Sequence, residues 1–162
     1  MSQTFMAAEI AEAGAVVRRQ LAANSALTAK AAAGLRARNP RFVATVARGS
    51  SDHAALYLKH VIELKLGLAC ASLGPSIASL YHAPLKLEGA VAIAISQSGR
   101  SPDILAMQRA AKYQGALSVA FVNDETSPLA READALLPTG VIVGSERTLL
   151  HDNSIATTDF SA

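Results

Sequence analysis

Two short stretches of the chain gather hydroxyl groups in a way that suits an oxyanion. One is Arg48-Gly49-Ser50-Ser51-Asp52, and the other is Ser96-Gln97-Ser98-Gly99-Arg100-Ser101. A phosphate dianion needs several hydrogen-bond donors, no carboxylate close by, and preferably the positive end of a helix. Serine hydroxyls and the backbone amides around Gly99 supply such donors without a fixed cation. A plainer reading is also open: Ser51 and Ser101 cap helices, and Ser96 to Ser98 only turn the chain. One such loop alone fits the plainer reading. Two at neighbouring strand ends favour an anion site, although residue types by themselves do not name the anion.

The flanking sequence states what must hold these loops. The run Phe42 to Ala47 is short, β-rich and uncharged, as expected of a strand buried on both faces. Leu68 to Leu73, Ala90 to Ile95, Leu117 to Val122 and Ala135 to Pro138 read as further strands. Between them, Ala55, Leu58, Ile62 and Leu66 mark one face of a helix that stops at Gly67. Pro102 to about Gln114 is a second helix, with Ser101 at its N-cap, Pro102 at its first position and Asp103 near its positive end. A short helix is expected around Pro128 to Glu132. Upstream, Met6, Ile10, Gly14, Val17 and Leu21 recur as an amphipathic stripe. After an interruption at Asn24-Ser25, a second helix with Leu27, Ala31 and Leu35 runs to Asn39-Pro40. The alternation predicts an α/β fold: a doubly wound, mainly parallel five-stranded sheet flanked by helices, preceded by N-terminal helices. Residues 1–40 form the helical segment, 41–138 the sheet domain and 139–162 an atypical tail.

Composition narrows the function. The 162 residues suit one domain, and 51% apolar against 4% aromatic content favours closely packed helices on a parallel sheet. A net charge of +2, with Arg18-Arg19, Arg36 and Arg38 scattered near the N-terminus, is too little for a nucleic-acid footprint. No apolar run is long enough to cross a bilayer, and no charged-then-apolar leader opens the chain. The single cysteine, Cys70, lies in no metal-spaced Cys/His cluster, so neither a disulfide nor a metal is expected. Neither dinucleotide nor P-loop glycine spacing occurs, and no cofactor is expected. The chain reads as cytoplasmic.

In this setting the loops resemble a known family. Arg48-Gly49-Ser50-Ser51-Asp52-His53-Ala54 and Ser96-Gln97-Ser98-Gly99-Arg100-Ser101-Pro102-Asp103 are similar to the motifs of sugar isomerase (SIS) domains. The likeness is greatest to the first SIS domain in the isomerase half of glucosamine–fructose-6-phosphate aminotransferases and to related amino-sugar-phosphate deaminases. Glu9-Ile10, Ser76-Ile77-Ala78-Ser79 and the stretch Asn123 to Asp134 extend it over roughly residues 5–138. The resemblance implies that Gly49, Ser50 and Ser51 contact a sugar. It also implies that Ser96, Gln97, Ser98 and Ser101, with the Gly99 amide, hold its 6-phosphate. Fructose 6-phosphate or glucosamine 6-phosphate is then the expected ligand, and a homo-oligomer the expected assembly. Arg100 stands where the aminotransferases often carry Glu; it either adds a cation to the phosphate site or faces solvent.

The C-terminal segment departs from the pattern. Family members follow the last strand with a Glu and, seven residues later, a Lys in a Val-Ala-Ser/Ala-Thr-Lys element. Glu146 falls at a plausible place and is the candidate catalytic base, with an ordinary surface carboxylate as the plainer alternative, but Leu149-Leu150-His151-Asp152-Asn153 follows, without the Thr-Lys step. A replaced, truncated or frame-altered tail and an arm that pairs with a second subunit both fit. The resemblance also implies a second SIS domain and, drawn from it, from a partner subunit and from the tail, a proton-shuttling Glu, a ring-opening His and a Schiff-base Lys; none of these three has a matched position here. Isomerisation needs a base and a carbonyl-polarising group, which hydroxyl loops do not supply. Two functions therefore stand side by side: the phosphosugar-binding part of an isomerase, aminotransferase or deaminase, and a non-catalytic phosphosugar sensor. His53, beside the first loop, is more readily a helix-face residue than an acid–base group. His60 and His82 have no partners in sequence, and His151-Asp152 is a weak metal or relay signal.

Overall fold

A computed structural model describes residues 5–139. The chain opens with α1 (Phe5–Ala23) and α2 (Ser25–Arg38), then enters the sheet at β1 (Phe42–Val46). Next come α3 (Ser50–Leu66), β2 (Cys70–Ser72), α4 (Ser76–Ser79) and β3 (Ala90–Ser96). The remaining elements are α5 (Pro102–Tyr113), β4 (Leu117–Val122), α6 (Pro128–Glu132) and β5 (Ala135–Pro138). Every strand pairing is parallel, in the order β2-β1-β3-β4-β5.

Strand β3 explains how the two faces differ. Its sequence alternates Ala90, Ala92 and Ala94 with Val91, Ile93 and Ile95, and successive side chains point to opposite faces. The branched residues, with Val43, Val119 and Leu137, pack beneath Ile62 and Leu58 of α3 and Ala31 and Leu35 of α2. The alanines face α5, where Ala94 and Ala120 meet Ile104 and Met107, and Ala90 and Ala92 meet Ala111. Small strand residues let α5 settle close to the sheet, and Ile104 and Met107 are buried almost completely. Side chains of that size contribute about 1.5–3 kcal/mol each on burial.

Three local details go beyond the sequence reading or depart from it. The apolar stripe of α1 does not turn inward: Ile10, Val17 and Leu21 are 61%, 51% and 70% exposed, while Val16 is buried. Periodicity identifies a stripe but not what covers it, and α1 meets the rest of the body chiefly through α2. Leu66, in the last turn of α3 beside the Gly67 cap, is exposed rather than part of the helix's inner face. The segment after β2 contains a helical turn, α4, that four residues are too few to announce by periodicity. The helical preface is fastened to the far edge of the sheet, where the Asn24 side-chain amide donates to the Pro138 carbonyl and α2 packs on β5.

Candidate functional site

The strand order places the two hydroxyl loops. From β1 the chain passes to β2 on one side, then crosses back to β3 on the other, so β1 and β3 are neighbours with connections leaving in opposite directions. Such a switch point opens a crevice beyond the carboxyl ends of the strands, where open α/β sheets take their ligands. Val46 is in register with Ala94, so residues 48–51 and 96–101 emerge side by side. The first loop is also tied to the helix that the second one feeds: Arg48 Nη1 lies 2.6 Å from Oδ2 of Asp103 in the first turn of α5.

Each loop feeds the N-terminus of a helix, and each does so through a glycine. Gly49 has φ 57° and ψ −138°, a conformation closed to residues with a Cβ, and α3 begins at the next residue. Ser50 and Ser51 therefore sit in the first turn of α3, with Ser51 buried, rather than at its N-cap. Gly99 has φ 62°, and a Cβ there would lie 2.2 Å from Ser127 Oγ and 2.7 Å from Val122 Cγ2. Only glycine fits, on both conformational and steric grounds.

Within the second loop the serine oxygens organise the backbone. Ser96 Oγ accepts from the Gly99 N–H at 3.1 Å, and Ser98 Oγ accepts from the Arg100 N–H at 3.3 Å. A hydroxyl that accepts in this way keeps its own proton to donate. Ser101 occupies the N-cap of α5 in extended backbone geometry, yet its side chain makes no capping bond. The plainer reading as helix caps fails at Ser51, and at Ser101 it holds for position but not for a side-chain capping bond. Asp103 has two tasks at the mouth, since its Oδ1 accepts from the Ile104 N–H and its Oδ2 from Arg48.

Gly49, Ser50 and Ser51 thus share one edge of the sheet with Ser96, Gln97, Ser98, Gly99 and Ser101. Glu146 and His151-Asp152 lie outside the described residues. His60 Nδ1 bonds the Leu56 carbonyl at 2.8 Å, a local helix contact away from the crevice. Among the described residues no group of His, Cys, Asp and Glu could hold a metal ion, and no helix is long and apolar enough to cross a membrane. Cys70 is buried, and that burial raises its thiol pKa.

Sequence reasoning missed the Arg48–Asp103 pair and the way the second loop is tied to the turn after β4. There the Asn123 N–H donates to the Gln97 carbonyl at 3.1 Å, and the Leu129 N–H donates to the Gly99 carbonyl at 3.2 Å. Arg100 bonds Asp124 at 2.7 Å with its side chain still 59% exposed, so the solvent-facing alternative holds, with a carboxylate partner on the turn after β4. No local signal marks pairs 24 or 55 residues apart. A groove of about 670 Å³ between α4 and α5, lined by Ser79, His82, Ala106 and Tyr113, borders the crevice only through Pro102 and Asp103.

A five-stranded, all-parallel sheet flanked by helices defines the α/β class. Within that class the chain belongs to the SIS domain family, whose model matches residues 37–142. A glutamine–fructose-6-phosphate aminotransferase (isomerizing) from Zymomonas mobilis is 37% identical over 97 residues, covering 60% of this chain and 16% of that protein. A structure described as a candidate phosphosugar isomerase from Silicibacter pomeroyi is 53% identical, with a TM-score of 0.78, covering 80% of this chain and 40% of that one. The C-terminal domain of glucosamine–fructose-6-phosphate aminotransferase from Francisella tularensis is 26% identical, with a TM-score of 0.75, covering 88% and 41%. The chain therefore spans less than half the length of each of these relatives.

Proposed function

We propose that this chain binds a hexose or hexosamine 6-phosphate in the crevice between β1 and β3, as the first SIS unit of an isomerase, aminotransferase or deaminase. Ser96, Gln97, Ser98, Gly99 and Ser101 take the phosphate, and Gly49, Ser50 and Ser51 take the sugar. The observation that carries the reading is the convergence of both loops at the switch point, fastened by Arg48 and Asp103. The α5 N-terminus adds its positive dipole end to a phosphate held there.

Thermal unfolding with fructose 6-phosphate and glucosamine 6-phosphate tests it. A ligand at 100 times its dissociation constant adds about 2.7 kcal/mol of stability. No shift with either sugar, up to millimolar concentration, refutes the proposal.

The sequence after Glu146 favours a second reading, because the Thr-Lys step of the family is replaced by Leu149-Leu150-His151-Asp152-Asn153. In that reading the chain senses a phosphosugar without transforming it. Ammonia or fructose 6-phosphate released from glucosamine 6-phosphate, and lost in Glu146→Gln, eliminates the sensor. Binding without turnover eliminates the enzyme. A homo-oligomer is part of the proposal, with the outward stripe of α1 as a face for a second copy; Val17→Asp then dissociates it in sedimentation.

A further inference from the structure

We infer that Arg100 is a positioning residue: with Asp124 it straps the 96–101 loop to the turn after β4, holding the loop in its ligand-ready shape before any anion arrives. The inference rests on the phosphosugar reading for the loop's purpose, but not for the strap itself.

Four contacts converge on this junction. The Asn123 N–H donates to the Gln97 carbonyl, and the Leu129 N–H to the Gly99 carbonyl. Gly99 sits so close to Ser127 and Val122 that no side chain fits between them. Arg100 Nη2 and Asp124 Oδ2, 2.7 Å apart, close the outer side. The carboxylate is not a passive counter-ion. Its Oδ1 accepts from both the hydroxyl and the N–H of Thr126, at 2.6 and 2.9 Å, so the turn fixes it before it meets Arg100.

The arrangement has an electrostatic consequence. A carboxylate beside a phosphate site repels the ligand unless it is neutralised, and Arg100 neutralises Asp124. Engaged with Asp124, Arg100 acts through loop geometry rather than as a direct phosphate ligand. Anion affinity then depends on the pair and not on which member carries the positive charge.

Charge reversal separates these roles. Binding of glucosamine 6-phosphate is measured by calorimetry for wild type, Arg100→Asp, Asp124→Arg and the double variant, with amide hydrogen exchange of Gln97 to Arg100 followed without ligand. Disrupting an exposed ion pair is worth roughly two- to fivefold. Each single variant is expected to bind at least that much more weakly and to exchange faster. The double variant is expected to return to within about twofold of wild type in both readouts. Recovered exchange without recovered binding shows Arg100 to be a direct phosphate ligand and overturns the inference. Exchange unchanged in every variant, with normal wild-type binding, also overturns it and leaves the ligand reading intact. Recovered exchange in a protein that binds neither sugar phosphate nor inorganic phosphate upholds the strap and refutes the ligand reading instead.

Discussion

The two loops that meet at the β1/β3 crevice are built to different standards of rigidity. Both turn on a glycine with positive φ, and both deliver a helix N-terminus. Around Gly49 there is open space, with no atom within 4 Å of where a Cβ would stand. Around Gly99 the same position is filled by Ser127 and Val122. One tie of the first loop is the Arg48–Asp103 pair, whose arginine side chain is 66% exposed. The second loop is pinned by two backbone hydrogen bonds, a steric lock and an ion pair. A rigid frame suits a group of constant shape such as a phosphate, whereas a looser one suits the variable body of a sugar. Preorganised donors also avoid the ordering cost that a mobile loop incurs on binding.

Substitution at the two glycines probes that contrast most strongly. Gly99→Ala adds a steric clash to backbone strain and is expected to cost about 3–5 kcal/mol in chemical denaturation, with loss of ligand binding. Should Gly99→Ala be no worse than Gly49→Ala, the difference between the loops is not real. The pair Ser96→Ala with Ser98→Ala comes next. It is expected to remove most of the roughly 2.7 kcal/mol that saturating sugar phosphate adds, and also to lower the ligand-free transition by about 1–3 kcal/mol, because the buried Gly99 N–H loses its acceptor. Retention of the full thermal shift would assign the phosphate elsewhere.

Gly49→Ala introduces strain without a clash and is expected to cost about 1–3 kcal/mol. A cost above that of Gly99→Ala would reverse the ranking. The smallest effect belongs to acid. The Thr126 hydroxyl and then Arg100 hold the Asp124 carboxyl below its ordinary pKa. A depressed carboxylate stabilises above its unfolded pKa, about 3.9, and loses that contribution as pH falls through the folded value. Because the group is near the surface, the contribution is expected to be under about 1 kcal/mol. The stability gap between wild type and Asp124→Asn should therefore close below pH 4, and a gap that widens with acid contradicts the assignment.

Much of this architecture was legible in the residues. The strands Leu117–Val122 and Ala135–Pro138 and the helix Pro128–Glu132 end where turn residues and prolines mark them. Ser101, Pro102 and Asp103 announce the start of α5 because an N-cap, a first-position proline and an early acid act locally. The hydroxyl loops were visible for the same reason. What stayed hidden is non-local. The outward turn of Ile10, Val17 and Leu21 depends on what the body offers α1, and the Arg48–Asp103 and Arg100–Asp124 pairs depend on which strand ends become neighbours. Arg100 shows the limit clearly: its sequence position allowed either a phosphate cation or a solvent-facing charge, and the fold leaves it largely exposed while pairing it with Asp124 on the turn after β4, a partner no local signal names.

The central claim, that the crevice between β1 and β3 receives a phosphorylated sugar, is tested most directly by an amide-resolved NMR titration with glucosamine 6-phosphate. Saturable shifts concentrated in residues 49–52 and 97–103 are the expected result. Shifts centred on the α4–α5 groove around Ser79, His82 and Tyr113, or no shifts at all, would contradict it.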